Sequence, residues 1–239
     1  MMTLLSILCL GFFLGMKHAT DADHVVAVTT IVSQQRSVGA AARIGAFWGI
    51  GHSATLLVVG GAIVLLGLVI PEKLGLSLEF TVALMLIFLG LVNVRTAYQW
   101  IHEAATPGAE ASSNADAKDH EGSGMWLDRW LKDFRAYRAI RPVTIGVVHG
   151  LAGSAAVALL ILPIIPNAVW AVAYLLIFGI GTIVGMMLIT AAIAMPLTYA
   201  SVRSHLVHRF LGVAAGVGSF AFGAFLVYQI GFVDGLFTR

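Results

Sequence analysis

The sequence is poor in charged residues and almost free of cysteine, and each shortage excludes a class of protein. Only 11% of the 239 residues are charged, whereas soluble domains carry about a quarter. Cys9 is the only cysteine, which excludes an intrachain disulfide, a CxxC motif and a thiol-rich metal site. Hydrophobic residues make up 59% of the chain. This composition is that of a membrane protein, and we expect a lipid bilayer and no nucleic acid as its partner.

Apolar stretches long enough to cross a bilayer recur along the chain. A helix needs about 20 apolar residues to span a hydrocarbon core about 30 Å thick. Backbone groups in lipid must be hydrogen-bonded within the segment, and runs such as "LLVVGGAIVLLGLVI" are too long for barrel strands. We therefore predict an all-α polytopic membrane protein with six transmembrane helices, at about 4–32, 44–70, 78–100, 142–165, 168–198 and 210–232.

The positions of the basic residues predict an orientation. Eleven of the 14 Lys and Arg residues lie at or within the connections after the first, third and fifth spans. Lys73 and Arg239 lie on the other side, and Lys17 lies inside the first span. The positive-inside rule then places both termini outside the cytoplasm in a bacterial-type inner membrane. The amino terminus lacks a basic region and a cleavage site, so we expect it to begin the first span.

The chain divides into two predicted halves of three spans each, residues 1–101 and 142–239. Residues 102–124 are polar and rich in small side chains, which predicts a flexible cytoplasmic linker. Residues 125–141 place aromatic residues at helical intervals among basic ones, which is typical of an amphipathic helix at the membrane interface. The alternative is that this segment extends the fourth span.

The two halves resemble each other weakly. "GMKHATDADHVVAV" aligns with "GVVHGLAGSAAVAL", which matches His18 to His149. "FWGIGHSATLL" aligns with "IFGIGTIVGMM", which matches His52 to Thr182. Because each half has three spans, the second half must insert upside down, and such a 3+3 inverted repeat is typical of secondary transporters.

Paired small residues predict that the helix backbones pack closely. Glycines four residues apart let neighbouring transmembrane helices approach each other. Five of the spans carry such a pair, namely Gly11/Gly15, Gly45/Gly49, Gly146/Gly150, Gly181/Gly185 and Gly212/Gly216.

A cluster of ionisable residues interrupts the first apolar span. A charged group at the centre of a membrane helix costs about 2.5–3.5 kcal/mol, so these side chains must face protein, water or an ion. At about 100° per residue, one face about 120° wide holds Lys17, His18, Asp21 and His24. Asp23 points away from that face. Either Asp23 supports a ligand from another helix, or the helix unwinds near it as broken transporter helices do.

Histidine and aspartate together form a nitrogen-and-oxygen ligand set. Imidazole suits nickel, cobalt, zinc and copper(II), whereas oxygen-only sites suit magnesium and calcium. Aspartate can also accept a hydrogen bond from the second imidazole nitrogen and fix its tautomer. Lys17 either neutralises an aspartate or extends to the membrane interface. The alternative to a metal site is a buried salt-bridge network that fixes the helix register.

Other polar residues in the spans are candidates for the permeation path or for supporting roles. They are His52, a metal-ligand candidate in the second span, and Ser53, Asn93, His149 and Thr182. His52 and His149 could each be a ligand or a buried hydrogen-bonded histidine. Asn93 and Thr182 could line the path or hydrogen-bond between helices.

At these motifs the sequence resembles the nickel/cobalt transporter family, NiCoT, with its NicO and UreH-like relatives. "KHATDADHVVAV" is similar to the family's HxxxxDH signature, and "FWGIGHSATLL" is similar to its second signature, a Gly-His-Ser in the next helix. The second half offers "HGLAGSAA" without a carboxylate, a pattern closer to the six-span UreH-like branch, which is associated with supplying nickel to urease.

The resemblance implies transport of a divalent transition metal, with five residues in or near the metal site: His18, Asp21, Asp23, His24 and His52. We predict a secondary transporter that takes up Ni²⁺ or Co²⁺ as its substrate, without a cofactor, and that is not an enzyme. It could form a homo-oligomer and supply a nickel-enzyme maturation system. The alternatives are an exporter of the same metals, a membrane redox or assembly protein of similar 3+3 architecture, and a metal-binding membrane enzyme. Family exporters often carry a His-rich loop, and the two histidines of this linker favour uptake.

Overall fold

The computed structural model describes residues 4–33, 35, 37–67, 71–105, 137–151, 165, 167–203 and 205–238. Within these ranges the regular secondary structure is entirely helical, as the all-α prediction required. The helices are α1 (Leu4–His18), α2 (Ala22–Val32), α3 (Val38–Leu66), α4 (Glu72–Ala105), α5 (Tyr137–Leu151), α6 (Ala168–Arg203) and α7 (His205–Tyr228), followed by a π-helical turn, Gln229–Val233.

The long helices coincide with four of the predicted spans. By length and hydropathy, α3, α4, α6 and α7 could each cross a membrane, whereas α1, α2 and α5 are shorter apolar helices. The helix α5 begins the predicted fourth span, and residues 152–164 of that span lie outside the described residues. Most of the predicted linker and interfacial helix, residues 106–136, also lies outside them, so the predicted domain boundaries stay predictions.

The predicted first span is not one helix, because the chain leaves the helical path at Thr20 and Asp21. The Thr20 amide donates to the Lys17 carbonyl at 2.8 Å, and the Thr20 hydroxyl bonds the same oxygen at 2.6 Å. Asp21 is extended, with φ −61° and ψ 148°, and its carbonyl accepts the Val25 amide as α2 begins. Threonine and aspartate commonly compete with helical hydrogen bonds in this way. Of the two predictions for the polar cluster, the structure therefore shows the one in which the helix unwinds near Asp23.

The helices pack in pairs that cross between the two predicted halves. The pairs with the most extensive contact are α3 with α6, α4 with α7, α3 with α5, and α1 with α6. The short α2 lies among α4, α6 and α7. Two of these contacts are equivalent between the halves. The first span packs on the fifth, and the fourth span packs on the second.

Two glycines make these equivalent contacts in atomic detail. A Cβ atom on Gly15 would overlap the carbonyl oxygen of Phe178 and would lie 2.9 Å from the Thr182 amide nitrogen. A Cβ atom on Gly146 would overlap the carbonyl oxygen of Trp48 and would lie 2.9 Å from the His52 amide nitrogen. The weak sequence alignment pairs these same residues, so the two contacts are equivalent in the way that the predicted inverted repeat requires.

Four of the five predicted glycine pairs lie wholly at helix–helix contacts. Gly11/Gly15 and Gly181/Gly185 form the contact between α1 and α6, whereas Gly146/Gly150 packs on α3 and Gly45/Gly49 packs on α6. In the fifth pair, Gly216 meets Gly90 and Val94 of α4, but Gly212 has open space where a Cβ atom would lie. Because these glycines have no side chains, the helices around the polar cluster can pack with their backbones close together.

Candidate metal centre

The break between α1 and α2 determines how His18 and Asp21 meet. His18 is the last residue of α1, and Asp21 is the N-cap of α2. The Asp21 carboxylate does not cap α2 but lies 2.7 Å from Nδ1 of His18. Because an ionised carboxylate only accepts hydrogen bonds, Nδ1 of His18 carries the proton and Nε2 carries the lone pair. Asp21 therefore presents His18 Nε2 as a ligand atom.

His52 reaches the same point from α3. Its Nε2 atom lies 2.9 Å from Nε2 of His18, and its Nδ1 atom is buried without a hydrogen-bond partner among the described residues. The neighbouring Gly51 contacts the carbonyl of Val143 in α5, and Gly146 of α5 lies against the His52 backbone. The close approach of α5 holds His52 in the bundle interior, where its side chain is fully buried.

Asp23 connects α2 to α5. One carboxylate oxygen lies 3.0 Å from Nε2 of His149, and the other lies 3.2 Å from Nδ1 of His24. The second oxygen also accepts the His24 backbone amide at 3.0 Å. As an acidic residue in the first turn of α2, Asp23 also lies at the positive end of that helix. These bonds leave Nε2 of His24 and Nδ1 of His149 buried and without described partners.

The four histidine rings form one compact cluster. The His24 ring centroid lies 4.2 Å from that of His149, 4.8 Å from that of His18 and 5.0 Å from that of His52. His24, His52 and His149 are fully buried, whereas the side chains of Asp21 and Asp23 are 42% and 20% exposed. The imidazoles thus lie in the interior, and each carboxylate lies toward a more open edge of the cluster.

Two overlapping groups of side chains bring possible metal-ligand atoms close together. His18, His24 and His52 each offer a ligand atom within 4.8 Å of the others, and so do Asp23, His24 and His149. Imidazole nitrogens supply borderline ligands suited to nickel, cobalt, zinc or copper(II). Cys9 is exposed and belongs to neither group.

Aromatic rings close two sides of the cluster, although neither residue was among the predicted site residues. Trp48 is fully buried, stacks on His24 at 6.2 Å between centroids, and meets His149 edge-on at 5.6 Å. Phe178 lies 5.7 Å from His18. A signal for both was present, since Trp48 and Phe178 occupy matching positions in the aligned stretches "FWGIG" and "IFGIG".

Four of the candidate supporting residues have other hydrogen bonds or lie outside the cluster. Ser53 donates to the Gly179 carbonyl at 3.0 Å, and the hydroxyl of Thr182 donates to the Phe178 carbonyl at 3.0 Å. Asn93 joins α4 to α7 through the Gly212 carbonyl at 2.8 Å. The Lys17 side chain is exposed, and no described carboxylate pairs with it. His149 is the one supporting candidate that lies inside the cluster.

Comparison with known proteins identifies the family. The family model described as "NicO: High-affinity nickel-transport protein" matches residues 4–227, nearly the whole chain. The chain belongs to the NicO family. It is thus a multi-pass membrane protein of a nickel-transport family, with a metal-transport role rather than an enzymatic one.

The chain is also similar to individual proteins. The chain is 35% identical to the urease accessory protein UreH of Bacillus sp. (strain TB-90), over 98% of this chain and 96% of that protein. It is 29% identical to the chloroplast protein FOR GROWTH AND FERTILITY 1 of Arabidopsis thaliana, over 77% of this chain and 48% of that protein. No solved structure matches this NicO member significantly.

Proposed function

We propose that this NicO protein is a secondary transporter that takes up Ni²⁺, Co²⁺ or both, and that the transported ion binds His18, His24 and His52. One observation carries the proposal, namely that three buried histidines from three different helices offer ligand atoms within 4.8 Å of one another. Intramembrane ionisable groups that converge in this way mark ion pathways.

The ion exchanges its water shell for imidazole nitrogens as it enters the cluster. His18 is ready to bind through Nε2 because Asp21 holds its Nδ1 proton, and His24 is ready through Nε2 because Asp23 holds its Nδ1 proton. His52 binds through either nitrogen once its proton occupies the other. Asp21 and Asp23 thereby act first as orienting groups, and their negative charges stabilise the dication.

The proposed direction is from the outer side of a bacterial-type cytoplasmic membrane to the cytoplasm. The basic residues flanking the first, third and fifth spans favour termini on the outer side. The delivered nickel would serve a nickel-enzyme maturation system, which fits the similarity to a urease accessory protein. Rocking of the two halves around the cluster would expose it alternately to the two sides.

Uptake of radioactive nickel and cobalt into proteoliposomes tests the proposal. We expect wild type to accumulate at least one of the metals, and His18→Ala, Asp23→Ala and His52→Ala to lose most of that uptake. His102→Ala, at the carboxyl end of α4 beyond the predicted third span, is the matched control and should transport as wild type does. Retained transport in all three cluster variants would refute the site. Vesicles of opposite orientation separate uptake from export.

Binding in detergent distinguishes the metal site from a salt-bridge network that only fixes helix register. A ligand that binds the folded state raises apparent stability by RT ln(1 + [L]/Kd), about 2.7 kcal/mol at a hundredfold excess over Kd. We expect nickel or cobalt to raise the unfolding temperature of wild type, and to raise it less in the double variant His18→Ala plus His52→Ala. If no divalent ion shifts the wild type, the register-fixing interpretation replaces the transport site.

A further inference from the structure

Resting on the proposed function, we propose that Asp23, His24 and His149 form a second position for the transported ion. The first position consists of His18, His24 and His52, and His24 belongs to both. The two positions differ in composition, since the first has three imidazoles and the second has two imidazoles and a carboxylate. They also differ in origin, since the second position includes α5 from the predicted second half of the chain.

The hydrogen bonds of Asp23 mark where the ion would lie. Its two carboxylate oxygens face Nδ1 of His24 at 3.2 Å and Nε2 of His149 at 3.0 Å. An ion in place of those two imidazole protons would meet one carboxylate and two nitrogens. The displaced protons can move to Nε2 of His24 and Nδ1 of His149, which are the buried nitrogens without described partners. The second position therefore needs only a change of tautomer in each ring.

His24 presents a different nitrogen to each position. Its Nδ1 atom faces Asp23, and its Nε2 atom is the free ligand for the first position. The His24 ring is also the centre of the cluster, with the His18, His52 and His149 centroids all within 5.0 Å of it. Between the first position and the second, the ion releases Nε2 of His24 and binds Nδ1, while the ring proton moves from Nδ1 to Nε2. Because a neutral imidazole has one lone pair, His24 holds one ion at a time.

The negative charge of Asp23 attracts a dication to the second position. The dication meets a carboxylate there, and that carboxylate is 20% exposed whereas the His24 and His149 rings are fully buried. Asp23 thus gives the second position a partly exposed ligand, whereas the three imidazoles of the first position are buried. A cation at this position also links α2 to α5, so its arrival and departure affect a contact between the two halves.

Cobalt binding to two single variants tests the second position. In His52→Ala, we expect one cobalt ion per chain, bound more weakly than in wild type, with a carboxylate and two imidazoles in its X-ray absorption spectrum. In His149→Gln, we expect cobalt to bind the first position with an affinity within a few fold of wild type, while nickel uptake falls about tenfold or more. Glutamine keeps a hydrogen-bond donor for Asp23, so a purely structural role of His149 would leave uptake unchanged.

Each outcome has one meaning, provided that both variants elute as monodisperse protein and unfold at wild-type temperature without metal. If His52→Ala binds no cobalt at saturating concentration, or if His149→Gln transports as wild type does, the second position is refuted. Failure of wild type to bind either nickel or cobalt would instead refute the proposed function itself.

Discussion

The imidazole ring of His24 stacks on the indole ring of Trp48, with centroids 6.2 Å apart and planes at 22°. Trp48 belongs to α3 and His24 to α2, so the contact crosses between two helices. It places a fluorescent side chain beside the ring that both proposed ion positions share.

Trp48 should therefore report metal binding. In a variant that keeps Trp48 while Trp100, Trp126, Trp130 and Trp170 are changed to Phe, we expect Ni²⁺ and Co²⁺ to quench most of the fluorescence. Zn²⁺, whose d¹⁰ shell has no low-lying states, should bind with much weaker quenching. A variant that keeps only Trp170, which lies at the start of α6, is the control. Equal quenching in both variants would contradict a site beside Trp48.

Replacing Asp21 by Asn should weaken metal binding. Asn still accepts a hydrogen bond from His18 Nδ1 but lacks the negative charge that makes the opposite nitrogen a stronger ligand. Loss of such an orienting carboxylate typically lowers metal affinity about 10- to 100-fold. Isothermal titration with nickel measures the change, and Asp234→Asn, after the last helical turn, should leave affinity unchanged. Wild-type affinity in Asp21→Asn would mean that the charge of Asp21 does not tune His18.

Adding a methyl group at Gly146 should destabilise the bundle. The new Cβ atom would overlap the Trp48 carbonyl, and backbone atoms cannot move aside as a flexible side chain can. Overpacking of this kind costs about 1–3 kcal/mol. Gly61→Ala in α3, where a Cβ atom has open space, is the control. Chemical unfolding in detergent compares the two variants, and equal stability would show that α3 and α5 are not packed as described.

Asn93 and Ser33 should be energetically coupled. The Asn93 amide donates to the Ser33 hydroxyl at 3.2 Å and to the Gly212 carbonyl at 2.8 Å, which joins α4 to the end of α2 and to α7. Interhelical hydrogen bonds in membrane proteins contribute about 0.6 kcal/mol on average and at most about 1.7 kcal/mol. A double-mutant cycle of Asn93→Ala and Ser33→Ala should yield coupling in this range. Strictly additive effects would exclude the bond as a stabilising contact.

Much of the architecture follows from hydropathy and charge, because the bilayer imposes its length on apolar helices. The prediction of 44–70 corresponds to Val38–Leu66, and that of 168–198 corresponds to Ala168–Arg203. Hydropathy alone did not predict the helix break at Thr20 and Asp21. It depends on a hydroxyl that bonds the Lys17 carbonyl and on a carboxylate that bonds His18 rather than capping α2. Both are local side-chain hydrogen bonds between residues three positions apart, which hydropathy does not report.

The candidate site was predictable in part. The five predicted metal-site residues converge in space, namely His18, Asp21, Asp23, His24 and His52. The free-energy cost of burying ionisable groups in lipid was the basis for predicting them. The bond of Asp23 to His149 joins residues 126 positions apart, and it depends on α5 packing against α3. A single sequence carries no pairing information at that distance beyond the weak alignment of His149 with His18. The aromatic neighbours follow from the same packing.

The second half has a threonine at the position where the first half has His52. The two sides of the cluster therefore offer an ion different ligands. Thr182 occupies the position equivalent to His52, so the bundle repeats its helix contacts but not its ligands. An ion within the cluster therefore has nitrogen donors on one side and the Asp23 carboxylate, with a single histidine of the second half, on the other. Inward and outward steps of the ion are then unequal in free energy even though the scaffold around them is nearly symmetric. Such a difference would change how strongly a transported ion is held on each side of the cluster, whereas the electrochemical gradient across the membrane sets the direction of net transport.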